Sequence, residues 1–305
     1  MIKDFQTFIN ERDNDLHKVI MCVSTEIADF KYVTDKSCFT NKYMELFTRG
    51  NKSSAVELPV INFCNIHTQR LLNKGTPKEL IYNLEEYKTE ISSKVKWHET
   101  HKDSEHVPTT VSDVKELENL EFPVIAKPDN RFSGQGIIKI DTLEDAKDMD
   151  LSDFEVFSEK IDISEEHRIM MWRGEPVMWV QRVHGNKETK EMTKKKEDKL
   201  LFNYVLKDLK NMSENWQPVF DEMAKAHKSL DIYSIDLMVD KEGKPWVVEM
   251  SSEFAPLYGV MSFYYKKVYQ DHYGKKLNPN DEAQVNMYQK KDIETTINFD
   301  KQRFK

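Results

Sequence analysis

Two apolar segments near the end of the chain are close enough in sequence to be the paired strands of one hairpin. Ile232–Val239 and Pro245–Met250 are separated only by Asp240–Lys244. Strand-like segments joined by so short a connection pair as an antiparallel hairpin. If the turn is centred between Glu242 and Gly243, residues whose numbers sum to 485 face each other.

This register places Asp236 directly opposite Glu249, with Cβ atoms about 5 Å apart. Alternation predicts one face formed by Ile235, Leu237, Val239, Trp246, Val248 and Met250, and another formed by Ser234, Asp236, Glu249 and Ser251. Opposed like charges destabilise a sheet, so the pair requires solvent exposure with splayed side chains, a shared proton or a bound cation. A divalent cation with oxygen ligands satisfies the arrangement best. An ordinary polar outer face remains an alternative, and a bulge would shift the register by one residue.

Length, charge and cysteine content restrict the class of protein. A chain of 305 residues can form two or three compact units with a cleft between them. A net charge of -8 argues against a protein that mainly neutralises phosphate backbones, so we expect no nucleic-acid partner. Three cysteines without a CxxC motif fit a reducing compartment. No signal peptide or apolar run of about 18 residues is found, which predicts a soluble cytoplasmic protein without a membrane partner.

The order of strand-like and helical patterns predicts a small α/β unit followed by a larger one. Val19–Val23 and Val60–Cys64 are strand-like, and a helix is predicted from Ile66 to about Lys88. A terminal aromatic helix, Met261–Tyr273, is expected to be core rather than interface. The predicted domains are 1–92, 93–165, 166–260 and a C-terminal helix with a polar tail over 261–305. Between the N-terminal unit and the final hairpin, the predicted strands are 122–127, 137–140, 154–161, 168–172 and 176–183. The predicted helices in this part of the chain are 113–120, 143–149 and 216–230.

Residues after position 122 offer groups that could bind a nucleotide. Phe122–Lys127 is an apolar strand that ends in a lysine, and Ser133–Gly136 contains small residues that let backbone N–H groups approach phosphate. The loop is neither a Walker motif nor a Rossmann fingerprint, and a mobile hairpin loop is an equal alternative. Glu159–Ile161 ends a strand and could present backbone groups to an adenine edge. Glu166 and Arg168 could contact ribose and phosphate, or form an ordinary exposed ion pair.

The order of these segments resembles the ATP-grasp superfamily over roughly residues 94–259. The matching segments are Pro108–Thr109, Phe122–Pro128, Ser133–Gly136, Glu159–Ile161, Arg168, Asp236 and Glu249–Ser252. The chain looks most similar to the carboxylate–amine ligases that include the ribosomal protein S6 glutamate ligases. The resemblance implies an α/β (α+β) fold in which two subdomains clasp ATP, preceded by a small α/β N-terminal domain.

The resemblance also assigns roles to residues. It places the nucleotide against Lys94, Lys127, Ser133, Gly134, Gln135, Gly136, Glu159, Lys160, Ile161 and Glu166. It places the metal on Asp236, Glu249 and Ser251, and the reacting groups beside Arg168, Arg182 and Asn203. The family usually has Glu-x-Asn where this chain has Glu249–Met250–Ser251, so the hydroxyl of Ser251 replaces an amide carbonyl. The segment Gly185–Leu200 is also unusually charged for its place in the family.

The chemistry implied by the resemblance is amide formation through an acyl phosphate. The cofactors would be ATP and two Mg²⁺ ions, with Mn²⁺ as an alternative ion. The partners would be a carboxylate and an amine substrate, either small molecules or peptides. Two other hypotheses stay open: an ATP-grasp phosphotransferase, and a nucleotide-binding regulatory protein without turnover, for which Ser251 is the motivating feature. The sequence does not specify the substrates or the oligomeric state.

Overall fold

The computed structural model describes residues 19–22, 44–47, 58–62, 68–84, 91–129, 136–184, 202–252 and 260–274, together with 276, 277, 279, 282–287 and 290. Contacts divide the chain into two units. The first unit contains the described residues among 1–85 and 253–303, and the second contains those among 86–252. The predicted domain boundaries stay a prediction. Within the described residues, no helix has the length and apolar character needed to span a membrane.

Thirteen strands are described along the chain. They are β1 Val19–Cys22, β2 Met44–Phe47, β3 Val60–Asn62, β4 Ile81–Tyr82, β5 Thr110–Val111, β6 Val124–Lys127, β7 Ile138–Ile140, β8 Val156–Glu159, β9 Ile163–Trp172, β10 Glu175–His184, β11 Phe202–Lys207, β12 Ile232–Asp240 and β13 Pro245–Ser251. The main helices are α1 Thr68–Asn73, α2 Lys94–Thr100, α3 Leu143–Asp148, α4 Gln217–Ala226 and α5 Val260–Tyr273. Short 3-10 helices occur at Lys78–Leu80, Val114–Asn119, Leu209–Asn211 and Glu214–Trp216.

The first unit contains a parallel sheet in the order β2-β1-β3-β4. The predicted long helix from residue 66 to 88 is wrong, because α1 ends at Asn73 and the chain later forms β4. Gly75 adopts a φ of 88°, which stops helix propagation, and Pro77 follows two residues later. In α5, Tyr264 and Tyr265 are fully buried, so the predicted core role of this helix is confirmed.

The second unit contains two antiparallel sheets. The larger has the order β11-β10-β9-β12-β13, and the smaller has the order β5-β8-β6-β7. The predicted strands and helices of this unit are confirmed apart from end residues and the 3-10 geometry at Val114–Asn119, whereas β5, β11 and α2 were not predicted. Helix α4 packs Val219, Phe220 and Met223 against the larger sheet, because these positions share one helical face. The opposite face of that sheet stays available for polar side chains.

The hairpin β12–β13 has the predicted register from Ser234–Ser251 to Asp236–Glu249, but not between that pair and the turn. Leu237 pairs with Val247 because a bulge at Val248 adds one residue to β13. Val247 is fully buried and Val248 only half-buried, so the predicted orientation of Val248 towards the core is wrong.

The turn of this hairpin closes one residue earlier than predicted. The Asp240 N–H donates to the Lys244 carbonyl at 3.1 Å, and the Asp240 carboxylate accepts the Lys244 N–H at 2.8 Å. Trp246 therefore lies opposite Met238 instead of Val239. The shift at the turn and the bulge cancel each other. For this reason the two carboxylates face each other as predicted.

Helix α2 is joined to the end of α4 by two buried histidines. The Nε2 atoms of His101 and His227 lie 2.8 Å apart, and the two side chains are 4% and 1% exposed. One imidazole must donate and the other must accept, so the contact requires at least one neutral ring. Burial, followed by the proximity of His227, lowers the pKa of His101 to about 4.

We expect the second unit to lose stability as the pH falls from about 6.5 towards 4. The folded state holds His101 neutral, whereas the unfolded chain binds the proton near the ordinary histidine pKa. Stability therefore falls by up to about 1.4 kcal/mol per pH unit for this histidine within that window. Urea unfolding can be followed by tryptophan fluorescence, since all five tryptophans lie between residues 97 and 246.

The matched variants are His101→Gln and His272→Gln. The first should reduce the pH dependence of the urea midpoint, because it removes one titrating group, while the buried His98 still contributes. The second should leave it unchanged, since His272 lies on α5 in the other unit. An equal slope in the parent and in His101→Gln would contradict the assignment.

Candidate functional site

Four adjacent strands of the larger sheet place charged residues on one face. Glu166 and Arg168 lie on β9, Arg182 on β10, Asp236 on β12 and Glu249 on β13. The register pairs Arg182 with Glu166, Arg168 with Asp236, and Asp236 with Glu249. Since side chains alternate along a strand, neighbouring residues of β9 and β12 point into the core. The result is a continuous charged row across the sheet.

Asp236 is held by two guanidinium groups. Arg168 Nε and Nη2 donate to the two carboxylate oxygens at 2.6 Å each, and Arg182 Nη2 lies 3.7 Å from Oδ2. Burial would raise the pKa of Asp236, but Arg168 and Arg182 together hold it below its usual range. Asp236 is therefore an anion at neutral pH. Arg182 is in turn paired with the buried Glu166.

Glu249 is in a different electrostatic environment from Asp236. Burial, and then the charge of Asp236, raise the pKa of Glu249, while Lys94, Lys127 and Arg168 oppose the shift. No hydrogen bond from the described residues reaches its carboxylate. Glu249 is therefore half-buried, and it lies opposite a second carboxylate, that of Asp236. Among the described residues it has no hydrogen-bond donor of its own.

The chemistry of this carboxylate pair fits a magnesium ion that takes its remaining ligands from outside the protein. Mg²⁺ binds proteins through one or two carboxylates and takes its other oxygens from water and phosphates. Each oxygen of Asp236 has a second lone pair beyond the one used by Arg168. The described residues contain no group of three or more His, Cys, Asp or Glu side chains that could hold a metal alone. The predicted third ligand, Ser251, is half-buried and lies opposite Ser234 on the same strand pair.

Two lysines from outside the larger sheet lie close enough to Glu249 for their charges to act on its carboxylate. Lys127 ends β6 of the smaller sheet, and Lys94 begins α2. Burial lowers the pKa of Lys127, the charge of Glu249 raises it, and Lys94 lowers it further. The structure therefore brings together both predicted lysines and the predicted acidic pair, which are separated in sequence by more than 100 residues.

The predicted loop and hinge are only partly described. Ser133, Gly134 and Gln135 lie outside the described residues, whereas Gly136 adopts a φ of 75°. In the hinge, the N–H groups of Glu159 and Lys160 donate to the carbonyls of Thr109 and Pro123, both at 3.0 Å. These two donors are already used within the protein.

The next N–H in the hinge, that of Ile161, has no hydrogen-bond partner in the described part of the chain. Ile161 is half-buried, so this donor could reach an adenine ring. Asn203 is described by its backbone alone, which pairs with Val183. Glu166 is 6% exposed and bound to Arg182, so its predicted ribose contact stays a prediction.

Sequence reasoning missed two residues next to this site. His98 lies one helical turn after Lys94 and is 5% exposed. Its burial, followed by the charges of Lys127, His101 and Lys94, lowers its pKa to about 2. Asp129 bonds to the first turn of α2. The spacing of Lys94 and His98 by four residues was the available signal, because residues four apart share one helical face, but no helix was predicted there.

Comparisons with known proteins give similarity in structure and none in sequence. No protein-family model matches the chain, and no match was found among curated proteins. D-alanine–D-alanine ligase from Bacillus anthracis complexed with ATP aligns with a TM-score of 0.54 at 15% identity, covering 93% of this chain and 97% of that one. The chain has the ATP-grasp fold. The predicted fold class is thereby confirmed.

Two further solved structures support the ATP-grasp fold. The ATP-grasp ligase PsnB complexed with a minimal precursor has a TM-score of 0.53 at 12% identity, covering 78% of this chain and 90% of that one. N5-carboxyaminoimidazole synthetase from Staphylococcus aureus has a TM-score of 0.51 at 12% identity, covering 80% and 72%. None of these is a ribosomal protein S6 ligase, so that finer resemblance stays a prediction.

Proposed function

We propose that this chain is an ATP- and Mg²⁺-dependent ligase that joins a carboxylate to an amine. The observation that carries the proposal is the meeting of Asp236 and Glu249 with Lys94 and Lys127 on one face of the larger sheet. Acidic residues for a metal and lysines for phosphates are the two requirements for holding magnesium-bound ATP. The similar solved structures include ligases, one of them complexed with ATP.

The reaction would proceed in two displacements. An oxygen of the substrate carboxylate attacks the γ-phosphorus of ATP, so that an acyl phosphate forms and ADP leaves. The amine then attacks the acyl carbon, its proton is released, and inorganic phosphate leaves as the amide forms. Magnesium, when bound at Asp236 and Glu249, would neutralise phosphate charge. Most of the catalytic effect would come from positioning and electrostatic stabilisation.

The residues of the site have separate roles in this proposal. Lys127 and Lys94 bind phosphate oxygens, and the free N–H of Ile161 contacts the adenine ring. Arg168 keeps Asp236 ionised and correctly oriented, since it binds both carboxylate oxygens. Arg182, whose strand neighbour Val183 pairs with Asn203, adds positive charge where the acyl phosphate forms.

The direct test is incubation with ATP, Mg²⁺ and mixtures of amino acids, peptides or cell extract. Release of ADP and phosphate only when an acid and an amine are both present, with a condensation product in the mass spectrum, would support the proposal. A stable phosphorylated product without an amide would instead identify a phosphotransferase. ATP binding without any ADP release would favour a regulatory protein, a reading that Ser251 at the metal motif supports.

We expect Lys127→Ala to weaken ATP binding by more than about tenfold, because it removes a half-buried cation that is proposed to bind the phosphates. Isothermal titration calorimetry with Mg²⁺-ATP gives the dissociation constant. The matched control is Lys147→Ala on α3, whose ammonium is mostly exposed and pairs with Glu144. Equal losses in the two variants would show that general surface charge, and not Lys127, determines the affinity.

A further inference from the structure

The residue Asp129 lies two positions after Lys127 and contacts the first turn of helix α2. Its carboxylate accepts a hydrogen bond from Val95 N at 3.2 Å, and Ser93 Oγ lies 3.2 and 3.1 Å from its two oxygens. Ser93 is itself the N-cap and accepts from Lys96 N. The N–H groups of a first helical turn have no partner within the helix, so such acceptors fix its position.

The main chain of Asp129 binds the ammonium group of Lys94, the first residue of α2. Its carbonyl oxygen accepts from Lys94 Nζ at 3.0 Å. Its N–H donates to Glu155 Oε2 at 2.8 Å, which anchors Asp129 to the residue that precedes β8. A single residue therefore fixes the backbone of Lys94 through the helix turn and its ammonium through the carbonyl.

Two like charges are thereby kept near each other before any ligand arrives. Lys94 and Lys127 both interact with Glu249, and Lys94 disfavours the charged form of Lys127. Repulsion would separate two flexible lysine side chains, so their proximity requires an anchor. Asp129 supplies one without taking part in the acidic pair. Two lysine side chains that are already held in place lose less conformational entropy when phosphates bind.

We infer that Asp129 is a positioning residue that sets Lys94 beside Lys127, so that the phosphates of ATP meet two cations already in place. This inference rests on the proposed function for its ligand, although the contact itself does not. A purely structural cap would stabilise α2 without acting through Lys94. The two roles differ in whether the effect of Asp129 depends on the presence of Lys94.

A double-mutant cycle on Mg²⁺-ATP binding separates these roles. Asp129→Ala should weaken binding about tenfold in the parent and less than about twofold in a Lys94→Ala background. The inference would be overturned if Asp129→Ala lowered the ATP affinity by the same factor with and without Lys94. It would also be overturned if Asp129→Ala bound ATP as tightly as the parent. Asp129→Asn keeps an oxygen that can accept from Val95 N, so it should bind ATP nearly as tightly as the parent does. This variant therefore shows whether a loss in Asp129→Ala comes from the missing acceptor or from misfolding. The control is Asp113→Ala, which removes a carboxylate cap from the 3-10 helix at Val114–Asn119 and should not change affinity.

A second readout needs no nucleotide. The rate at which acetic anhydride labels Lys94 should rise severalfold in Asp129→Ala, while that of the exposed Lys102 stays constant. Unchanged labelling of Lys94 would overturn the inference even in an active ligase. If the parent binds no ATP, the proposed function fails, and the labelling rates still decide whether Asp129 positions Lys94.

Discussion

Glu249→Gln is expected to lower ATP-dependent amide formation by at least about 100-fold without lowering the stability of the protein. The change removes a proposed magnesium ligand but keeps the size of the side chain. The raised pKa of Glu249 means that the folded state disfavours its carboxylate, so the charge costs stability at neutral pH. Its loss should therefore leave the unfolding midpoint equal or higher.

The measurements for Glu249→Gln are the rate of ADP release with both substrates and the thermal midpoint without magnesium or nucleotide. The matched control is Glu242→Gln in the exposed turn of the same hairpin, which should keep both values. Activity of Glu249→Gln within twofold of the parent would exclude a metal-binding role. A large drop in its midpoint would show that the carboxylate has a structural partner.

Asp236→Asn is expected to abolish turnover and to destabilise the second unit by about 3–5 kcal/mol. The variant leaves the guanidinium of Arg168, which is only 23% exposed, without the carboxylate that binds it at 2.6 Å through two nitrogens. Arg182 also loses a nearby anion. Breaking one side of a buried ion pair is costly because the other charge stays away from water.

The free energy of unfolding from urea titrations, followed by tryptophan fluorescence, measures the effect of Asp236→Asn. The control is Asp231→Asn, which breaks the pair of Asp231 with Arg173 just outside the ends of β12 and β9. That arginine is 45% exposed, so the cost should stay below about 1 kcal/mol. Similar losses in both variants would mean that burial of the Asp236 pair contributes nothing beyond an ordinary surface contact.

The opposite signs expected for these two acidic variants distinguish the carboxylates of the site. Asp236 is stabilised by the arginines of β9 and β10, whereas burial and the charge of Asp236 disfavour the carboxylate form of Glu249. A carboxylate pair of this kind combines a fixed member with an available one. The proposed ligase therefore has one acidic residue that maintains the sheet and another whose main use is to bind the metal.

Local pattern allowed the hairpin and its acidic pair to be predicted. The alternation of β12 and β13 and the short connection between them placed Asp236 opposite Glu249, as found. The register between that pair and the turn was wrong, because the alternation of apolar and polar residues does not reveal an early turn closure or a bulge at Val248. The predicted helix over 66–88 failed for a related reason, since Gly75 and the buried strand at Ile81–Tyr82 outweigh helical spacing.

The sequence by itself determined which chemical groups are present and which of them share one strand face, because side-chain direction follows a period of two along a strand. Only the tertiary structure decided that Lys94, which lies on a helix that was not predicted, comes near Lys127 and Glu249. It also decided that Arg168 binds the carboxylate of Asp236. These contacts join segments far apart in the chain, and their energies depend on burial and distance. Neither quantity exists until the two sheets and α2 have packed.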